Sequence, residues 1–250
     1  MNLTSILYNL VGIPATGLVR TAVKPFNAKL REREGVWEDA MESLKYLPAD
    51  RPRLWVHAAS MGEFEQAKPV IELAKELVPD LLAVCSFYSP SGYNTQKKYP
   101  HADALLYMPF DKRSNAAYFI DSIRPDAAVF VRYEYWRNHL ELMKKRNIPS
   151  MLICATKPSS GAFDKYPAAR AFLSSNLDFF DEIYTVGRRH TEYFESLDIN
   201  PPVHTLSDTR LDRIADKVEQ ARRSPLLPQK LFDDAFTLVA GSVWPEDEDI

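Results

Sequence analysis

Residues 54–71, Leu-Trp-Val-His-Ala-Ala-Ser-Met-Gly-Glu-Phe-Glu-Gln-Ala-Lys-Pro-Val-Ile, decide the fold. The apolar run Leu54–Ala58 ends in small residues, and a helix opens directly after it with Glu63 in its first turn. Phe64, Ala67, Val70, Ile71, Ala74 and Leu77 then recur at spacings of three and four, which marks one buried helical face. Strand, short turn and helix in that order are the repeating unit of open α/β sheets. Two readings of Glu63 stand side by side. Ser60-x-x-Glu63 fits a capping box, in which the carboxylate reaches back to the Ser60 amide. The same carboxylate also lies where strand ends and helix N-termini converge on a crevice, so it is the first candidate for a catalytic group.

Outward from this unit the alternation continues. Strand-like runs cover 54–58, 81–87, 104–107, 127–131, 150–154, 182–186 and 203–206, separated mostly by helical stretches at 63–78, 91–99, 113–123, 136–146, 166–176 and 188–197. The runs are short and continuously apolar, as strands are when helices cover both faces of a parallel sheet. The pattern predicts an α/β fold, a doubly wound parallel sheet. Residues 222–234, with Pro225 and Pro228, read as a linker. Beyond it, 236–240 reads as a strand, followed by Gly241-Ser242 and a helix opened by Pro245 with acidic residues behind it. The expected organisation is an N-terminal arm over 1–35, an α/β domain over 36–222, a linker over 223–235, and the first strand–turn–helix of a second domain over 236–250. On that reading the chain is truncated.

The 250 residues are 46% hydrophobic and 26% charged with a net charge of -3, the profile of a globular protein with ample core. No basic excess points to nucleic acid. Both cysteines, Cys85 and Cys154, sit in strand-like runs without Cys-x-x-Cys spacing and read as buried thiols. The five histidines are scattered, which argues against a zinc centre. None of the eight glycines forms a Gly-x-Gly-x-x-Gly or Walker loop, which disfavours a dinucleotide or P-loop site.

Residues 3–23 are rich in Leu, Ile and Val, but Gly12, Pro14 and Gly17 interrupt them, so the expectation is a broken apolar segment short of a spanning helix. No basic region precedes it as in a signal peptide. Arg20, Lys24, Lys29, Arg31 and Arg33 follow against Glu32 and Glu34. Apolar then basic residues suit contact with an anionic membrane face, and an arm packed on the protein's own surface fits equally.

The remaining polar residues cluster after strands: Ser60 to Glu63, Ser89 to Gly92, Arg132-Tyr-Glu134-Tyr-Trp136, Thr156-Lys157, Gly187 to Arg189, and Ser207-Asp-Thr-Arg210. Glu63 and Glu134 on neighbouring strand ends could do acid/base work, with Trp136 and the tyrosines facing sugar rings. Alternatively Glu134 pairs with Arg132 or Arg137 and the aromatics cover the next helix.

The order of these motifs resembles the Kdo transferases, which attach 3-deoxy-D-manno-octulosonic acid to a lipid A precursor. The family's His-Ala-x-Ser-x-Gly-Glu element is similar to His57-Ala-Ala-Ser-Met-Gly-Glu63. Its Glu-x-Trp element is similar to Glu134-Tyr-Trp136 with Asn138 and Ile148-Pro149. Its Gly-Asp/Asn-x-Arg/Lys-Phe-Asp element resembles Ser207-Asp-Thr-Arg210-Leu-Asp212, and its second-domain opening resembles Gly241-Ser-Val-Trp-Pro-Glu-Asp-Glu.

The resemblance implies the Rossmann-like N-terminal domain of a GT-B glycosyltransferase that needs no metal or other cofactor. It would act at the cytoplasmic leaflet of the bacterial inner membrane, with CMP-Kdo as donor and a lipid A precursor as acceptor. Carried over by motif, Glu63 would be the general base, while Glu134 and Arg210 would stabilise the transition state. Ser60, Gly62, Ser91, Gly92, Arg132 and Trp136 would bind acceptor, and Ser242 and Glu246 would bind donor. With most of the donor domain missing, the chain alone is expected not to turn over. Departures from the family pattern occur at Arg132 and Arg137, where Glu and Pro are common, at Cys154 to Lys157, and at Ser207 and Arg210. They bear on acceptor details. Another GT-B sugar-nucleotide enzyme, of the lipid A disaccharide synthase or epimerase kind, and a non-enzymatic membrane-docking α/β module remain alternatives.

Overall fold

The computed structural model describes residues 3–159, 161–224, 229–233, 236–238, 240–241 and 243. It divides into a unit Met1–Leu211 and a unit Asp212–Ile250. The first unit carries β1 (Arg53–Ala58), β2 (Leu82–Phe87), β3 (Ala104–Tyr107), β4 (Ala127–Val131), β5 (Ser150–Ala155), β6 (Glu182–Val186) and β7 (Val203–Leu206). They form a seven-stranded sheet in the order β3-β2-β1-β4-β5-β6-β7, parallel throughout. The α/β expectation holds, with strand limits that fall within a residue of the apolar runs.

Helices α1 (Leu3–Leu7), α2 (Ile13–Val23), α3 (Ala28–Gly35) and α4 (Trp37–Ser43) precede the sheet. Between and after the strands come α5 (Met61–Leu77), α6 (Pro90–Thr95), α7 (Arg113–Ile123), α8 (Arg137–Lys145), α9 (Ala162–Lys165), α10 (Pro167–Leu177), α11 (Arg188–Glu195) and α12 (Arg210–Arg223). Two cores lie on the two sheet faces. Leu54, Val56 and Ala58 of β1 pack with Phe64, Ala67 and Ile71 of α5. Trp55 points the other way, into a cluster with Phe119 and Ile120 of α7, Leu140 of α8 and Leu173 of α10. Alternate residues of one strand thus serve opposite faces, and both faces are dry.

The N-terminal rim of the sheet is pinned by a repeated device. Asp103, Asp126 and Asp181 each stand one residue before a strand. Each carboxylate accepts an N–H from the neighbouring strand: Ala83 at 2.7 Å, Arg53 at 2.7 Å and Ser150 at 2.8 Å. The backbone N–H of each Asp donates in return to the carbonyl of that same residue. These orphan groups at strand starts are satisfied on both sides, which fixes register.

The N-terminus departs from expectation. Leu3–Phe26 is one continuous 24-residue helix, long and apolar enough to cross a bilayer; its most apolar 18-residue window has a mean hydropathy of 1.3 and is only 6% buried. Gly12, Pro14 and Gly17 do not break it, because Tyr8–Gly12 is a π-turn in which Ile13 N–H bonds Tyr8 O. Widening the helix by one residue just before Pro14 accommodates the ring and its missing donor.

In the second unit α12, begun at the end of the first, is followed by a 3-10 turn at Gln229–Leu231. The expected strand–turn–helix over 236–250 falls mostly outside the described residues, Ser242 and Glu246 included.

Candidate active site

From β1 the chain winds to β2 and β3 on one side, and β4 to β7 extend the sheet on the other. β1 and β4 are therefore neighbours whose C-terminal loops part in opposite directions, the arrangement that opens a crevice in α/β sheets. Into this switch point run Ser60 to Glu63, from β1, and Arg132 to Trp136, from β4.

Ser60 and Glu63 close the capping box at the start of α5. Glu63 Oε2 accepts the Ser60 N–H at 3.0 Å and the Ser60 hydroxyl at 3.3 Å. Yet the carboxyl is pushed above the ordinary glutamate value. Burial is the larger cause and the charge of Glu134 adds to it, while the Ser60 and Ala59 amides and His57 pull the other way. Cap and crevice therefore use the same side chain, and Glu63 and Glu134 are close enough to feel one another.

Glu134 does not pair with Arg132 or Arg137. Its Oε2 receives Trp136 Nε1–H at 2.6 Å and faces His57 Nε2 at 2.9 Å. His57 is fully buried, and behind it Nδ1 lies 2.8 Å from Ser86 Oγ, which itself receives Trp55 Nε1–H at 2.8 Å. Trp55 Nε1–H donates to the Ser86 hydroxyl oxygen and His57 Nε2–H donates to the Glu134 carboxylate, while Nδ1 faces both the hydroxyl of Ser86 and its carbonyl oxygen, the latter at 3.1 Å. The Trp136 and His57 bonds converge on one oxygen of Glu134. Arg137, a partner only in the alternative reading, is fully buried against Ser5, Ser175 and Asn176, binding the arm and α10. His57 entered the sequence reading only as a motif letter. Its signal was position: a histidine two residues after Trp55, on the same strand face.

Arg210 is held by Asp208, with Nε 3.1 Å from both carboxylate oxygens and the backbone N–H 3.0 Å from Oδ1. Gln66 of α5 also donates to Asp208 Oδ1 at 3.0 Å, and the Thr209 hydroxyl bonds Gln66 O at 2.7 Å. The Asp208–Arg210 loop thus docks on the helix that carries Glu63, one turn further along. Burial raises the Asp208 carboxyl, but hydrogen bonds from Arg210 and Gln66 outweigh it and take the group from 3.8 down to about 2. A depressed carboxylate stabilises the fold above its unfolded value and loses that contribution as pH falls. Unfolding curves between pH 4 and pH 2 should therefore show an acid loss that Asp208→Asn removes; an unchanged acid limb in the variant would refute the clamp.

The other expected contacts divide. Arg132 has a left-handed φ of 63°, carries no carboxylate partner among the described residues, and its buried Nε is unbonded. Burial and then the guanidinium groups of Arg189 and Arg132 hold His190 below the ordinary histidine value, so these cations gather past the ends of β4 and β6. Trp136 packs edge-on to His57 at 5.6 Å and tilts against Tyr88 at 5.4 Å. With Glu134, Tyr133, Phe163 and Phe172 it walls a cavity of about 320 Å³. Gly62 is open to solvent and Ser91 is exposed, its hydroxyl 3.0 Å from that of Ser89. Gly92 is buried, and a Cβ there would stand 2.4 Å from the Phe87 ring, so it serves the packing of α6 on β2.

A parallel Rossmann-like sheet with acidic and basic loops at its switch point belongs to the α/β class that binds small ligands at such a crevice. The UDP-GlcNAc 2-epimerase of Neisseria meningitidis has a similar fold, with a TM-score of 0.52 at 13% identity over 74% of this chain and 54% of that one. Residues 28–213 match the family described as 3-deoxy-D-manno-octulosonic-acid transferase (kdotransferase), and the chain belongs to that family. Among its relatives, the 3-deoxy-D-manno-octulosonic acid transferase of Rickettsia prowazekii is 23% identical over 198 residues, 79% of this chain and 42% of that protein. That of Aquifex aeolicus is 30% identical over 145 residues, 50% of this chain and 40% of its own length. The chain spans less than half the length of these relatives.

Proposed function

We propose that this chain is the acceptor half of a GT-B Kdo transferase, which moves Kdo from CMP-Kdo to a lipid A precursor. The observation that carries the reading is Glu63: a carboxylate partly buried at the switch point, raised above the ordinary value, and oriented by the Ser60 amide. In this reading the acceptor hydroxyl oxygen attacks the anomeric carbon of Kdo and its proton passes to Glu63. The bond from that carbon to the CMP phosphate oxygen breaks, and CMP leaves with the bonding electrons. A base of raised pKa holds the proton better than an ordinary carboxylate does. Glu134, fixed by His57 and Trp136, presents its charge to the positive character that develops on the sugar, and Arg210, fixed by Asp208, faces the departing phosphate. The Leu3–Phe26 helix, with Arg20, Lys24, Lys29 and Arg31 at and beyond its end, anchors the protein to the cytoplasmic leaflet where the lipid resides. In the same reading the donor domain lies beyond this half, and residues 1–250 alone do not turn over.

The test is a donor screen with the complete gene product that contains this chain. Transfer of sugar to a lipid A precursor should occur from CMP-Kdo and not from UDP-sugars. Turnover of UDP-sugars with none of CMP-Kdo would replace this reading with another sugar-nucleotide enzyme.

A further inference from the structure

Arg33 is a buried cation without an anion. It is 6% exposed, and among the described residues no carboxylate forms an ion pair with it; the neighbouring Glu34 is taken by Arg20 and Lys24. Its Nη2 donates to Met108 O at 2.8 Å, its guanidinium lies 3.9 Å from the Tyr88 ring centre, and its buried Nε has no partner. An isolated buried charge is costly, and a fork of N–H donors is the group that best matches a phosphate.

Space for one is present. Arg33 lines two cavities, of about 420 Å³ and 360 Å³, which share Arg20, Arg33 and Phe110 in their walls. Lys29 adds a third cation to the second cavity, while Glu34 in the first is the acidic lining residue. The remaining walls are largely apolar. In the second cavity Val19 and Val23 belong to the exposed bilayer-length helix. Cationic floor and apolar flank fit one molecule with a phosphate at one end and hydrocarbon at the other.

The cavities also adjoin the candidate active site. The Tyr88 ring that covers Arg33 tilts against Trp136, whose Nε1–H bonds Glu134. Ser89, in the wall of the second cavity, donates its N–H to Ala59 O at 2.7 Å, tying this wall to the loop before Glu63.

We propose that the paired cavities around Arg33 hold the phosphate of a phosphorylated lipid, with Arg20 and Lys29 at the mouth and an acyl chain leaving along Val19 and Val23. The lipid's identity as the sugar acceptor rests on the function proposed above; recognition of its phosphate does not.

The experiment measures flotation of the complete protein with phosphatidylcholine vesicles that carry either phosphatidic acid, a phosphomonoester, or phosphatidylglycerol at matched total charge. The wild type should prefer the monoester. Arg33→Met should lower monoester binding about tenfold, the loss of a charge-assisted bond, and leave phosphatidylglycerol binding unchanged. Arg51→Gln, ahead of β1, should change neither. Val19→Trp, which fills the second cavity and keeps Arg33, should lose the same preference and decides the matter if Arg33→Met does not fold. A preference retained in Val19→Trp, or one that follows total charge alone, overturns the proposal. Competition by inorganic phosphate as strong as by the lipid assigns the site to a free anion and overturns the lipid part. Monoester preference without Kdo transfer would refute the transferase reading and leave this site standing; transfer without preference would do the reverse.

Discussion

Glu63→Gln in the complete enzyme is expected to lower kcat by about 10²–10⁴-fold, the range for loss of a general base, with little change in melting temperature. Glutamine keeps an oxygen that can accept the Ser60 N–H now bonded at 3.0 Å, so the cap survives while the proton acceptor is lost. The opposite pairing, full activity with a lowered melting temperature, would make Glu63 a cap and nothing more. Ser60→Ala supplies the contrast: it removes the capping hydroxyl and should cost about 1 kcal/mol of stability with a much smaller loss of turnover. Because burial and Glu134 raise the Glu63 carboxyl, the acid limb of the rate profile should lie above the ordinary carboxylate range. Activity falls as pH drops through that limb, since the protonated acid cannot serve as base, and Glu134→Gln should move the limb down by removing the neighbouring charge.

Asp111→Ala should be strongly destabilising, by about 3–5 kcal/mol, because it leaves several buried donors without an acceptor at once. Asp111 is 4% exposed and its two oxygens serve separate parts of the molecule. Oδ1 faces Nδ1 of the fully buried His139 at 2.7 Å, while Oδ2 accepts the Tyr8 hydroxyl at 2.8 Å and the Asn138 N–H at 3.2 Å. One carboxylate thus joins the arm helix to the start of α8. Urea unfolding measures the loss, and hydrogen exchange over residues 3–26 should accelerate more than over the central strands. Asp111→Asn, which keeps an acceptor for His139, should lose less. A cost below about 1 kcal/mol, within the range of an ordinary hydrogen bond, would show that the pair carries no special weight.

The sheet was legible because its strands are buried on both faces, so burial alone writes a continuous apolar run such as Leu82–Phe87. The switch point followed from Glu63 and Glu134 lying just past such runs. What stayed hidden depends on partners distant in sequence. Ser86 meets His57 only through the pairing of β1 and β2, and Asp208 meets Gln66 across 142 positions. The packing role of Gly92, placed by motif among the acceptor contacts, stays hidden because nothing in the sequence shows the Phe87 ring beside it. The helix over Leu3–Phe26 was read as broken because Gly and Pro ordinarily end helices, and a π-turn is a local adjustment that leaves no residue signature.

The aspartates before β3, β4 and β6 have a consequence for how such a site can change. Each locks its strand to a neighbour at the edge remote from Glu63 and Glu134, by side-chain and backbone bonds to one residue. Alignment of the strands therefore does not depend on the loops at the opposite edge. Those loops can gain, lose or exchange residues without letting the sheet slip. The protein separates the part that must stay constant from the part that can vary, and new ligand preferences can arise by editing loops on an unaltered frame.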